Sequence, residues 1–306
     1  MTAELRIEAD GLKRSFAARA AVAGLSLKIS AGEIYGLVGP DGAGKTTTLR
    51  MLAGLLDPDA GSVRLLGADP FSSDGSVREG LGYMPQQYSL YGDLSVDENM
   101  AFFAELFCLD RPVFRERRAR LLKMTRLEEF GARRADALSG GMYKKLALAC
   151  ALLHQPKALL LDEPTNGVDP VSRREFWDLL HDFLGEGMAI IIATPYMDEA
   201  ARCDRVGLLF EGRMLEEGRP GDLLRGFQHP VFQLAGDRPR ISALIDQRDD
   251  ILAFTPAGTH LRIVVRKGSE QAVLAALAGL GAEAVPTLPT FEDLFLARMK
   301  EGRRHD

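Results

Sequence analysis

Residues 39–46 read GPDGAGKT. They follow the apolar run GEIYGLV (32–38) and lead into GKTTTLRMLAGLL (44–56), whose apolar positions recur at helical spacing. The pattern G-x-x-x-x-G-K-[ST] between a strand and a helix marks a turn built to hold phosphate. Glycines let backbone N–H groups curl around phosphate oxygens, and the helix N-terminus adds a favourable dipole. Lys45 supplies a cation for the β/γ-phosphates and Thr46 a hydroxyl suited to Mg²⁺. The candidate phosphate site is therefore Gly39, Pro40, Asp41, Gly42, Ala43, Gly44, Lys45, Thr46 and Thr47. A chance Gly-rich turn could carry the same letters, but the correct flanks on both sides argue against it.

A second stretch, KALLLDEPT (157–165), is an apolar strand ending in an acidic pair. Asp162 is suited to hold Mg²⁺ through water, and Glu163 to polarise an attacking water. Such a pair can also be a structural cap, a reading that weakens beside a phosphate turn. A third stretch, LSGGM (138–142), places two glycines and Ser139 at the start of a long apolar-faced helix. That makes a second anion-binding helix start in one chain.

Around these stretches, near-continuous apolar strands alternate with helical segments, the texture of a parallel α/β sheet. Residues 5–16 and 21–30 alternate with period two and read as edge strands. Asp93 to about Arg134 turns helical. After about Gly226 the order becomes β-α-β-β-α-β, a small α+β unit. The expected organisation is a cassette over residues 1–226, with a helical subdomain at about 90–150, and a small extension over 227–306.

Composition sets bounds. With 46% hydrophobic and 26% charged residues among 306, the chain has material for a sizeable core. Its net charge of −5 argues against a general nucleic-acid binder, and no nucleic-acid partner is expected. Cys108, Cys150 and Cys203 lack metal spacing and read as buried thiols in a reducing compartment. None of His154, His181, His229, His260 or His305 has metal spacing with another ligand. The first residues lack the apolar core of a secretory signal, and no apolar run approaches the roughly 20 residues of a membrane span. The expectation is a soluble cytosolic chain, free to sit on a membrane protein.

The order GPDGAGKT, LSGGM, LLLDEP resembles one family, the ATP-binding cassette ATPases. The resemblance covers roughly residues 4–226 and implies a P-loop NTPase fold of the ABC type, with a mixed-sheet core and a helical subdomain. It implies ATP and Mg²⁺ as cofactors. Phe16 stands where the family stacks an aromatic on adenine, and Gln86 of GYMPQ where a glutamine sits near Mg²⁺ and the water. NGVDP (166–170) resembles the family's D-loop, with Asp169 its acidic residue; Asp41 replaces the more frequent asparagine of the phosphate turn.

In this family two cassettes close head to tail, so that one chain's Leu138-Ser139-Gly140-Gly141 motif completes the other's ATP site. The motion passes to polytopic membrane subunits through the helical subdomain, here the stretch QQYSLYGDLSVDEN (86–99), with Tyr88, Leu90 and Tyr91 as apolar candidates. The spellings YMPQ, DLSVDEN and YMDEA and the C-terminal PTFEDLFL are similar to the ATP-binding subunits of ABC-2-type exporters, which move drugs, lipids, polysaccharides or other hydrophobic cargo.

One departure bears on catalysis. Aligning YMDEA with the family puts Pro195 where a histidine touches the γ-phosphate, and proline offers neither a polar side chain nor a backbone N–H. In extended chain, Thr194 and Tyr196 project away from that position, although a kink at the proline could re-aim Tyr196. The expectation is a slow site on this chain's own phosphate turn, paired with an unlike or tandem cassette. The alternatives are a regulatory, binding-only cassette and a non-transport soluble ATPase. Against the last, there is no long coiled coil between the phosphate turn and LSGGM, and only one cassette in the chain.

Overall fold

The alternating and apolar runs build separate sheets in a computed structural model that describes residues 4–17, 19–72, 76–87 and 90–302. Tyr88 and His305, named above, lie outside the described residues. The chain divides into two compact units, Met1–Met214 and Leu215–Asp306.

In the first unit, β1 (Leu5–Phe16) and β2 (Arg19–Ser30) form an antiparallel pair. They are followed by β3 (Ile34–Val38), α1 (Lys45–Leu52) and β4 (Ala60–Leu65). Of the two strands read as edges, only β2 is one. β4 pairs antiparallel with the far side of β1, so β1 is the middle of a three-stranded sheet. Paired residues such as Ile7 and Leu65 are 58 positions apart, a separation that period-two alternation does not encode.

The chain continues through α2 (Ser76–Glu79), β5 (Leu81–Met84), α3 (Val96–Leu106), α4 (Arg111–Thr125) and α5 (Gly140–Leu152). It then makes β6 (Ala158–Asp162), α6 (Pro170–Leu184), β7 (Ala189–Thr194), β8 (Arg205–Phe210) and β9 (Arg213–Gly218). The main sheet has the order β5-β6-β7-β3-β8-β9, and its pairings from β5 through β8 are parallel. Every residue of β3, β6 and β7 is buried, as expected for parallel strands covered on both faces. Glu211 and Gly212, both at positive φ, form the two-residue link between β8 and β9, the turn class whose twist suits a hairpin. The core joins Leu49, Met51 and Leu52 of α1 to Leu37, Leu160, Ile191 and Ala193 beneath them. Truncating one such leucine to alanine costs about 2–5 kcal/mol.

Helices α3 and α4 start where the sequence signals them. Ser95 and Glu98 form a reciprocal capping box at α3, with each side chain accepting the other's backbone N–H at 3.2 and 2.8 Å. Hydrogen bonding from the Ser95 backbone, and then from its side chain, holds the Glu98 carboxyl below the usual carboxylate range. Arg118 of α4 reaches Asp97 of α3 through its Nε at 3.0 Å. Cys150 and Cys203 are buried, and desolvation pushes both thiols up. Cys108 is exposed, against the expectation of a buried thiol; it ends the turn after α3 at φ 52° and points outward.

The second unit begins at Leu215, within β9, and continues into α7 (Pro220–Gly226). It runs β10 (Val231–Ala235), α8 (Arg238–Asp246), β11 (Ile251–Ala257), β12 (His260–Val265), α9 (Glu270–Gly279), β13 (Glu283–Thr287) and α10 (Phe291–Gly302). The antiparallel order β11-β12-β10-β13 with this β-α-β-β-α-β sequence is ferredoxin-like. Ile241, Ile245, Val273 and Leu277 pack on Leu234 and Ile263 to make its core. No helix among the described residues is long and apolar enough to cross a membrane.

Candidate nucleotide site

The phosphate turn leaves β3 and enters α1 at the C-terminal end of the parallel sheet, where open α/β sheets bind ligands. Gly44 caps α1 at φ 107°, and a Cβ there would stand 2.3 Å from the Ala21 carbonyl oxygen. No other residue fits at that position. The Gly39 N–H donates to the Thr194 carbonyl at 3.2 Å, tying the turn to the end of β7. Ala43 N–H closes on the Pro40 carbonyl at 3.1 Å, Asp41 is exposed, and Thr47 is half-buried beside Thr46 on α1.

Lys45 is 4% exposed and its Nζ donates to the carbonyls of Gly39 (2.8 Å) and Pro40 (3.0 Å). The same nitrogen lies 3.4 Å from Oε1 of Glu163. Thr46 Oγ1 donates to Asp162 Oδ1 at 3.0 Å. Gln86 Nε2 donates to Glu163 Oε2 at 2.8 Å. The fold thus gathers Lys45, Thr46, Gln86, Asp162 and Glu163, distant in sequence, into one connected polar cluster. Burial raises the Asp162 carboxyl above its ordinary range against the hydrogen bond from Thr46. Glu163 takes φ 48°, a left-handed backbone that an L-residue adopts at a cost, which turns its carboxylate back toward Lys45. Thr46 and Asp162 offer adjacent hard oxygens and, among the described residues, no imidazole or thiol joins them, a donor set that fits Mg²⁺.

Phe16 ends β1 with its ring 49% exposed, and the Arg14 guanidinium carbon lies 5.2 Å from the ring centroid. It is free to stack on a planar group and bonds to none of the cluster residues.

Leu138, Ser139, Gly140 and Gly141 start α5. Ser139 Oγ accepts the Met142 N–H at 3.3 Å, and Ser139 and Gly140 are exposed. A Cβ on Gly141 would sit 2.5 Å from Ser172 Oγ, so this glycine is required by packing on α6 within the chain. Among the described residues, no hydrogen bond or ion pair joins Ser139, Gly140 or Gly141 to the phosphate turn. Asp169 caps α6 by accepting from Val171 and Ser172 N–H groups at 3.0 and 2.9 Å, and the Ser172 hydrogen bonds hold its carboxyl low.

The end of β7 holds features that the sequence did not single out as site residues. Thr194 Oγ1 points away from the cluster and donates to Glu199 Oε2 at 2.6 Å. Glu199, 1% exposed, also accepts from Thr165 Oγ1 (2.6 Å) and Trp177 Nε1 (3.4 Å). This buried carboxylate fastens the ends of β6 and β7 to α6. Pro195 is half-buried and brings no donor. Tyr196 is re-aimed after the proline: its hydroxyl donates to Asn166 Oδ1 at 3.2 Å, and Asn166 Nδ2 donates to Glu163 Oε2 at 3.2 Å. Lys144 of α5 donates to the Gln86 carbonyl at 3.2 Å, and desolvation lowers its ammonium pKa. Arg19 of β2 places Nη2 3.7 Å from where a Gly42 Cβ would be, a further cation beside the turn. Each belongs to a stretch the sequence displays, but only the fold brings them together.

Residues 22–166 match the family model described as ABC transporter. The probable multidrug ABC transporter ATP-binding protein YbhF of Escherichia coli K12 is 42% identical over 296 residues, covering 95% of this chain and 51% of that protein. The chain therefore spans about half the length of this curated relative. The Nod factor export ATP-binding protein I of Rhizobium etli is 39% identical over 306 residues, covering 95% of this chain and 92% of that one. A solved ATP-binding cassette, dimeric and in a post-hydrolysis state with ADP and Pi, superposes with a TM-score of 0.64 at 26% identity, over 72% of this chain and 100% of its own. With a phosphate turn, an acidic pair and a signature helix start on a shared fold, the chain belongs to the ABC transporter family as an ATP-binding cassette.

Proposed function

We propose that this chain is the ATP-hydrolysing motor of an ABC exporter, closing on ATP with a second cassette to drive polytopic membrane subunits. The observation that carries the proposal is the connected cluster of Lys45, Thr46, Gln86, Asp162 and Glu163 at the sheet's C-terminal end. Residues 39–47 would cradle the phosphates, with Lys45 moving from its own turn's carbonyls onto β/γ oxygens. Thr46 and Asp162, with Gln86 beside them, would hold Mg²⁺, which when bound neutralises charge on the phosphate oxygens. Glu163 takes the proton of a water as its oxygen attacks the γ-phosphorus and the bond to ADP breaks. Phe16 stacks on the adenine, and Leu138 to Gly141 serve the ATP of a partner cassette.

The functional cassette is taken as residues 1–226, with 227–306 as an extension of its own fold. Exposed Tyr91, Phe102 and Leu106, with Tyr91 and Phe102 rings 4.7 Å apart edge to face, supply an apolar patch for membrane subunits. Half-buried Leu90 adjoins it. The chain would then work at the cytoplasmic face of the cell membrane. Relatives named for multidrug transport and for Nod factor export support the export reading, for which drugs, lipids or other hydrophobic molecules are the proposed cargo.

Pro195 makes the chain's own site slow and calls for an unlike or tandem partner cassette. Losing one positioned polar group of this kind costs on the order of a hundredfold in rate. Single-turnover hydrolysis by the full chain tests the proposal. Slow turnover, abolished by Glu163→Gln and raised at least about tenfold by Pro195→His, is expected. Rapid turnover that Pro195→His leaves unchanged refutes the asymmetry. Binding of ATP with no turnover even in Pro195→His supports the second reading, a regulatory cassette. Co-purification with ribosomes or DNA instead of a membrane protein supports a non-transport ATPase.

A further inference from the structure

The side chain at position 195 cannot take part in hydrolysis, yet the residue after it reaches the catalytic cluster. We infer that Tyr196 is a positioning residue: through Asn166 it holds the Glu163 carboxylate in its working orientation. The inference rests on the reading of Glu163 as the base.

Chemistry sets the direction of this chain of hydrogen bonds. Glu163 as a carboxylate can only accept, so Asn166 must turn its NH₂ toward it, at 3.2 Å. That leaves the Asn166 amide oxygen facing the Tyr196 hydroxyl, which donates at 3.2 Å. The carboxylate thus fixes the orientation of the amide, and the phenol, donating to the oxygen that remains, holds the far end of Asn166 in place. Glu163 Oε2 receives a second donor from Gln86 at 2.8 Å, and Oε1 faces Lys45 at 3.4 Å. Lys45 and Gln86 are assigned above to phosphate and Mg²⁺ and are expected to move when these bind, whereas Asn166 and Tyr196 are assigned to neither. Of the three partners of the carboxylate among the described residues, the Asn166–Tyr196 arm is then the one that stays.

Tyr196 is itself held from three directions. Its N–H donates to Thr194 Oγ1 at 3.1 Å, and that hydroxyl is anchored on buried Glu199. The Arg173 guanidinium carbon lies 4.3 Å from the ring centroid, a cation–π contact that fixes the ring plane. The hydroxyl is the remaining freedom, and Asn166 takes it. The proline contributes by ending β7 at Thr194 and redirecting the chain, so that Tyr196 leaves the alternation of the strand. The imidazole's direct contact with the phosphate is not replaced, and a slow rate is still expected. What is preserved is the aim of the base.

The test uses the full chain and single-turnover hydrolysis of ATP with Mg²⁺ across a range of ATP concentrations. Tyr196→Phe keeps the ring on Arg173 and removes only the hydroxyl. It should lower the maximal rate by about three- to tenfold, the worth of one neutral hydrogen bond, with the half-saturating ATP concentration unchanged. Asn166→Ala should lose at least as much, and adding Tyr196→Phe to Asn166→Ala should cost nothing more, since one arm is already cut. A Tyr196→Phe rate within about twofold of the parent, a loss confined to half-saturation, or losses that multiply in the double variant overturns the inference. Glu163→Gln run alongside separates the two claims. If it is inactive while Tyr196→Phe is unaffected, only the positioning role falls; if Glu163→Gln keeps full activity, the assignment of the base falls and the positioning role with it.

Discussion

Replacing Glu199 by alanine tests how far the site depends on a buried carboxylate behind it. Glu199 is 1% exposed and accepts from the hydroxyls of Thr165 and Thr194 and from the Trp177 indole. The Arg173 Nε stands 3.9 Å away, so the buried charge has a cation nearby. Removing the acceptor leaves these donors facing an apolar gap, and stranding a buried donor costs about 1–3 kcal/mol. The hydroxyls can rotate to other acceptors, whereas the indole cannot, which puts the total near the 3–5 kcal/mol typical of breaking a buried charged network. For a unit of this size each kcal/mol lowers Tm by about 2–4 °C, so Glu199→Ala should melt roughly 6–20 °C below the parent. Glu199→Gln keeps the shape and one acceptor oxygen and should lose about 1–2 kcal/mol. Differential scanning calorimetry of the nucleotide-free chain measures both. Because the Thr194 carbonyl also accepts the Gly39 N–H, Glu199→Ala should weaken binding of a fluorescent ATP analogue even at a temperature where it stays folded. A melting shift under about 2 °C for the alanine variant, or equal shifts for alanine and glutamine, refutes the account of Glu199 as a hub.

Gly141→Ala should destabilise by about 1–3 kcal/mol because its Cβ meets Ser172 at 2.5 Å, and Ser172→Gly should restore most of the loss in thermal melts. Asp162→Asn should stabilise the chain at neutral pH without Mg²⁺. Burial raises the Asp162 carboxyl, so its favourable contribution is present below the ordinary carboxylate pKa and lost as pH rises through the higher folded value. The melting gap should therefore close on acidification toward the ordinary carboxylate range, and the Mg²⁺ dependence of ATP binding should vanish in the variant at every pH. Phe16→Ala should weaken ATP binding by the roughly 1–3 kcal/mol of a base–aromatic stack while leaving affinity for inorganic triphosphate unchanged, as titration calorimetry would read.

Much of this architecture is legible in the chain itself because its parts are contiguous. GPDGAGKT and LLLDEP carry strand, turn and chemistry within a few residues, and the buried strands announce themselves as unbroken apolar runs. The ferredoxin-like unit is readable for the same reason, since each element keeps its own periodicity. What escapes is whatever depends on pairing between distant segments. β1 looks like an edge until β4 closes on it, and Cys108 looks buried until a positive φ turns it outward. Tyr196 and Asn166 are 30 residues apart in loops of no fixed period, so nothing in their spacing predicts that they meet. Glu199 reads as one acid in a polar YMDEA stretch, yet it is among the most buried side chains of the unit.

The hydrogen bond from Lys144 to the Gln86 carbonyl has a mechanical meaning. Lys144 lies one turn into the helix that LSGG begins, whereas Gln86 stands against Glu163, the proposed base. On the function proposed above, one backbone oxygen would gear the ATP of this cassette to the surface it would lend to a partner's ATP. A partner cassette loading its nucleotide would tug this linkage from outside, and an event at Glu163 would tug it from within. If the two sites are as unequal as proposed, they need not fire together: the slow one would set the tempo for the fast.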